Sequence, residues 1–204
     1  MADSFLFTEL KEANHQLRKL YIHSLIQILV FVLLILIDRA SKHAASVLLK
    51  HSSDKTVISG VLDLHYLENT GAAFGLFDHL PWLFYVIGGI AVVILAAVFC
   101  LIFFRLREGI RAEALTRKTV SDRIVINYLI AVLAAGTIGN LIDRILYGYV
   151  IDFLCIRFIS FPVFNAADIF ITVSIILLFL FLLFVYKEDS SFRLSGNVRK
   201  RNKC

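Results

Sequence analysis

Between residues 139 and 168 the chain gathers groups that can move protons. They lie in Gly139-Asn140-Leu141-Ile142-Asp143-Arg144, Gly148-Tyr149-Val150-Ile151-Asp152-Phe153 and Phe164-Asn165-Ala166-Ala167-Asp168. Aspartate is the abundant reactive type, with no Gly-x-Ser-x-Gly turn and no Cys/His pairing to suggest a different nucleophile. Two carboxylates sharing a site cannot both ionise cheaply, so one keeps its proton while the other serves as a base. Such a pair activates water directly and protonates a leaving amine without a cofactor. Asp152, set among Val150, Ile151 and Phe153, and Asp168, just before a long apolar run, are the candidates for that pair. Asp143 is followed at once by Arg144 and reads as half of a structural ion pair.

Each of these residues also has a purely structural reading. Asn165, three before Asp168, has the spacing of a helix N-cap with an acid in the first turn. Asp152 fits a strand or loop carboxylate bonded to backbone amides. Asp38 and Lys42 fit an interfacial pair that ends a span, and Asn140 fits a hydrogen bond between membrane helices. Gly71 and Gly139 fit turn or packing positions.

The elements that must hold these groups are apolar. The 204-residue chain is 59% hydrophobic, with a mean hydropathy of +0.80, and its apolar residues come in long blocks. That makes it an integral membrane protein. Spans are expected at residues 21–37, 81–104, 124–142 and 169–185, the first being short and closed by Asp38. Trp82 and Tyr85 read as interfacial anchors, and Pro81 suits a first helical turn. Between spans one and two, Leu62, Leu64 and Tyr66 alternate with Asp63 and His65, the period of a half-buried strand, and Gly60 marks a bend before them. Residues 56–75 are expected to form a small sheet on the membrane surface. Residues 1–20 carry apolar positions three or four apart and read as an amphipathic leader on the membrane. Residues 187–204 read as a polar, basic tail. Three cysteines without a CxxC pair give neither a disulfide framework nor a metal knuckle, and six scattered histidines without HExxH give no support to a metal mechanism.

Four spans put both termini on one side. Most of the 21 Lys and Arg fall before span one, in the 105–123 loop and in the tail. The opposite segments hold only Arg39, Lys42, Lys50, Lys55, Arg144 and Arg157. Termini and basic loop are therefore expected in the cytoplasm. Asp38, Asn69, Asn140, Asp143, Asp152, Asn165 and Asp168 then reach one outer rim from separate stretches of chain. The net charge of +5 is explained by this topology, and nucleic acid is not an expected partner. The expected fold is an α-helical membrane protein with four transmembrane helices and a small sheet. It forms a single domain over 1–204, with leader 1–20, core 21–186 and tail 187–204.

Asp38-Arg39-Ala40-Ser41-Lys42, Asn69-Thr70-Gly71-Ala72-Ala73-Phe74-Gly75 and the three segments above resemble, in order and spacing, the motif set of bacterial lipoprotein signal peptidase (signal peptidase II). The resemblance covers roughly residues 25–186. It implies an aspartic endopeptidase of the bacterial inner membrane that cuts a signal peptide from lipid-modified prolipoproteins just before the diacylglyceryl-cysteine. It implies Asp152 and Asp168 as the dyad, supported by Asp38, Lys42, Asn69, Gly71, Asn140, Asp143, Arg144 and Asn165. It also implies a periplasmic β-cradle, contact with membrane lipid, inhibition by globomycin and no cofactor. The first motif more often reads Asp-Gln, and Arg39 adds a charge there. Two other functions remain open from the residues alone: an ion-coupled transporter using the acids as a relay, and an assembly subunit in which they are structural.

Overall fold

In the computed structural model, residues 2–71, 81–111 and 117–185 are described. The tail at 187–204 lies outside them, as do residues 72–75 of the expected sheet and part of the basic loop. Among the described residues, four helices are long and apolar enough to cross a membrane. These are α1 (Ala2–Leu49), α2 (Pro81–Arg111), α3 (Arg117–Tyr147) and α4 (Ala166–Leu180), the last continued by a π-helical turn at Phe181–Val185. Their large apolar side chains mostly face outward, for example Leu29, Leu33, Ile87, Ile94 and Leu183. The buried positions include Gln27, Asp38, Lys42, Asn127, Asn140 and Asp143. That inversion suits a hydrocarbon solvent, where polar groups must turn inward and find partners.

α3 is the hub, packing against α1, α2 and α4. Its glycines let α4 approach. A Cβ on Gly136 would lie 2.5 Å from the Ala167 carbonyl oxygen and 2.8 Å from Ile171 Cγ1. Small residues at helix interfaces permit such backbone proximity. Away from the sheet, Leu20, Leu106, Ile110, Val120 and Ile124 form a buried cluster that joins α1, α2 and α3.

The first helix is longer than the expected span. It runs unbroken from Ala2 through the expected leader and span, and Asp38 does not end it, because the helix continues to Leu49. Asp38 and Lys42 stand one turn apart with Oδ2 and Nζ at 3.0 Å. They neutralise each other inside the helix, and both side chains are buried. At about 1.5 Å per residue α1 is about 72 Å long, more than twice a hydrocarbon core of about 30 Å.

The sheet is antiparallel, in the order β1 (Lys55–Ile58), β2 (Leu62–Asn69), β3 (Val150–Ile156). Gly60, at φ 72°, turns β1 into β2, as its position suggested. The third strand extends the sheet beyond the expected 56–75 segment and carries Asp152. β3 follows α3 after Gly148, at φ 83°, whose N–H donates to the Arg144 carbonyl at 2.9 Å. Ala45, Leu49 and Ile151, with Leu64, Tyr66, Tyr149 and Phe153 around them, fasten the sheet to the end of α1. Arg157 Nε meets Asp63 Oδ2 at 2.6 Å and ties the far end of β3 to β2.

Candidate active site

Asp152 is the third residue of β3 and is 2% exposed. Asp168 lies in the first turn of α4, whose cap is reciprocal. The Asn165 side chain accepts from the Asp168 N–H at 3.1 Å, and Asp168 Oδ2 accepts from the Asn165 N–H at 3.0 Å. The capping reading is therefore correct, and it coexists with a place in the site. Phe164, just before the cap, is bridged to β3: Phe164 N–H donates to the Leu154 carbonyl at 3.0 Å, and Leu154 N–H donates back at 2.8 Å. This brings Asn165 beside Asp152, to whose Oδ1 its Nδ2 donates at 2.6 Å.

Asn69 Nδ2 donates to the other oxygen of Asp152 at 2.8 Å, and Asn69 Oδ1 accepts from the Gly71 N–H at 3.1 Å. Asn140 Nδ2 donates to Asp168 Oδ1 at 2.7 Å. Asn140 Oδ1 in turn accepts from Lys42 Nζ at 2.9 Å and from Asn165 Nδ2 at 3.1 Å. Asn165 thus touches both aspartates. The two acids line one cavity of about 260 Å³, together with Asn69, Gly71, Asn140, Arg144 and Phe161 to Phe164.

Burial pushes the Asp152 carboxyl up from 3.8 to about 6, aided by the charge of Asp168 and opposed by the Asn69 and Asn165 amides. Asp168 accepts two hydrogen bonds at a helix N-terminus, where the helix dipole favours an anion. The Asp152 carboxyl thus keeps its proton to a higher pH than an ordinary carboxyl, which suits it to the role of acid.

Behind the cavity is a charged cluster. Asp38 and Asp143, both fully buried, face Lys42, which is 1% exposed, and Arg39. Lys42 Nζ is 2.8 Å from Asp143 Oδ2. The expected Asp143–Arg144 pair is not formed: Asp143 pairs with Arg39 and Lys42. Neighbouring helical residues diverge around the axis and do not face each other. Arg144 instead lies over the Phe84 ring, 5.0 Å from its centroid, and points its Nη atoms at the carbonyls of Asn140 and Gly71, each at 3.4 Å. From there it interacts electrostatically with Asp152 and Asp168. All the sequence-predicted residues therefore meet in one network. Missing from that set is Arg39, signalled only by a charge next to Asp38. The close approach of Gly139, where a Cβ would lie 2.6 Å from Asp38 Oδ2, belongs to the same cluster.

Comparison with known families decides what kind of site this is. Residues 30–184 match the family Signal peptidase (SPase) II. The chain belongs to the signal peptidase II family. It is thus a peptidase, with a multi-pass architecture of four membrane-crossing helices. Among its relatives, the lipoprotein signal peptidase of Clostridioides difficile (strain 630) is 37% identical over 161 residues, 78% of this chain and 96% of that protein. That of Lactobacillus johnsonii (strain CNCM I-12250 / La1 / NCC 533) is 35% identical over 162 residues, 79% and 94% respectively. A bacterial membrane enzyme structure determined in meso at 2.3 Å is 28% identical with a TM-score of 0.61, covering 78% of this chain and 87% of that one. The signal peptidase II match includes every residue of the network and begins well inside α1.

Proposed function

We propose that this peptidase removes the signal peptide from lipid-modified prolipoproteins by cleaving just before the diacylglyceryl-cysteine, with Asp152 and Asp168 as the catalytic dyad. The observation that carries this reading is the cavity the two carboxyls share at the polar end of an apolar bundle, with the Asn165 side-chain amide donating to Asp152 and its backbone N–H to Asp168. Asp168, at the start of α4, acts as the base and takes a proton from water as the water oxygen bonds to the scissile carbonyl carbon. Asp152 gives its proton to the carbonyl oxygen. As the C–N bond breaks, that proton returns to Asp152 and Asp168 passes its own to the leaving amine nitrogen, which restores both groups. Asn69, Asn140 and Asn165 orient the carboxyls, Arg144 supplies positive charge at the rim, and Asp38, Lys42 and Asp143 hold the frame. Gly71 leaves room beside the cavity.

The spans suit an apolar signal helix and acyl chains, and the sheet keeps bulk water from the dyad, which strengthens electrostatics there. The same reading puts the enzyme in the bacterial inner membrane with both termini cytoplasmic, the site at the outer face and the basic tail inside. It treats the chain as a single domain with a 21–186 core and makes globomycin an inhibitor. In a prolipoprotein cleavage assay, Asp152→Asn and Asp168→Asn are each expected to abolish cleavage while inserting and folding normally. A fully active variant at either position refutes the dyad. Tags that place residues 143–168 in the cytoplasm refute the topology.

A further inference from the structure

Arg39 stands where the family resemblance leads one to expect glutamine, and its contacts join the two buried carboxylates behind the cavity. Nη1 donates to Asp143 Oδ1 at 2.5 Å. Nη2 donates to Asp38 Oδ2 at 2.8 Å and to the Gly139 carbonyl at 3.0 Å. Each of those carboxylates turns its other oxygen to a backbone amide. Asp38 Oδ1 accepts from the Ala167 N–H at 3.2 Å, and Asp143 Oδ2 accepts from the Ile151 N–H at 3.3 Å. Ala167 immediately precedes Asp168, and Ile151 immediately precedes Asp152. One planar guanidinium therefore spans the two carboxylates that hold the backbone beside each candidate catalytic acid. Lys42 also touches both carboxylates, but as a point charge on a flexible stem, whereas the rigid guanidinium fork fixes orientation as well as distance.

We propose that Arg39 is a positioning residue that sets the relative placement of Asp152 and Asp168 through Asp38 and Asp143. The inference rests on the dyad reading and adds to it a mechanical link between β3 and α4. Arg39 also completes the charge balance of the cluster, two cations against two carboxylates. Without it the cluster carries a net negative charge behind Asp152.

The test compares Arg39→Met, Arg39→Gln and Arg39→Lys in purified protein. It measures kcat and KM on a prolipoprotein across pH, and thermal stability on the same samples. Arg39→Met is expected to lower kcat by about 100-fold, the scale of a misplacement of about 1 Å, with KM little changed. Arg39→Gln keeps a planar pair of N–H donors without the charge. It is expected to recover most of kcat and to move the alkaline limb of the pH profile upward, because the added negative field holds the Asp152 proton more tightly. Arg39→Lys keeps the charge without the fork and is expected to leave the pH profile in place without restoring kcat. Wild-type kcat in Arg39→Met, or a loss that only follows the folded fraction, overturns the proposal. So does full recovery by lysine and not by glutamine. Asp152→Asn in the same assay separates the two levels. If it is active, the dyad itself fails; if it is inactive while Arg39→Met is normal, only the positioning role fails.

Discussion

Asparagine at position 152 is expected to remove activity and, above about pH 6, to stabilise the protein. The fold holds the Asp152 carboxyl at about 6 against an ordinary 3.8, chiefly by burial. A raised pKa means that the folded state binds the proton more tightly than the unfolded state, so stability falls as pH rises from 3.8 through about 6. At about 1.4 kcal/mol per pH unit the full cost is on the order of 3 kcal/mol, complete by about pH 7 and absent below the unfolded value. A neutral amide avoids that cost. It also brings an NH2 group up against one of two amide donors, Asn69 Nδ2 or Asn165 Nδ2, and loses a hydrogen bond worth about 1 kcal/mol. The net expectation is a gain of about 2 kcal/mol at about pH 8 and a loss of about 1 kcal/mol at about pH 4. Thermal unfolding of both proteins in one detergent at the two pH values reads this, with prolipoprotein cleavage measured on the same samples. A difference in stability that has the same sign and size at both ends refutes the reasoning, because burial of the charge is then not what raises the carboxyl.

The same titration predicts an alkaline limb in kcat/KM with an apparent value of about 6, since in the proposed cycle Asp152 enters protonated; a limb that reflects only substrate ionisation contradicts this. Gly136→Ala pushes a methyl into the Ala167 carbonyl and Ile171 and is expected to cost about 1–3 kcal/mol and to lower cleavage, read by thermal unfolding and initial rate. Gly89→Ala, with nothing within 4 Å of the new methyl, is the control and is expected to be neutral or slightly stabilising. Lys42→Met leaves Asp38 and Asp143 with Arg39 alone and is expected to destabilise by about 3–5 kcal/mol; unchanged unfolding indicates that the lysine compensates nothing.

Hydropathy alone locates the four spans, because blocks of apolar residues bounded by charge have no other stable use in this chain. The capping spacing from Asn165 to Asp168 is equally local, and both of its readings apply. Partners distant in sequence are what the residues conceal. Asp143 has an arginine beside it and bonds to another more than a hundred positions away, because helical geometry turns the neighbour aside. β3 is hard to recognise because Val150, Ile151 and Asp152 are all buried, so the alternation that exposes β2 is missing, and its pairing with Leu62–Asn69 is set by the tertiary fold. The length of α1 is masked for a related reason: Asp38 and Lys42 read as a boundary only until their mutual neutralisation one turn apart is taken into account.

Asn165 starts the last helix, and its side chain bonds to the Asp152 carboxyl and the Asp168 N–H, so one residue both caps that helix and joins the two acids that border the cavity. A copy of the chain whose last helix is not yet packed lacks these bonds, and its acids are then expected to be unaligned. If the proposed dyad holds, proteolytic power is expected only once the last helix is packed, so half-built molecules pose little danger to neighbouring polypeptides.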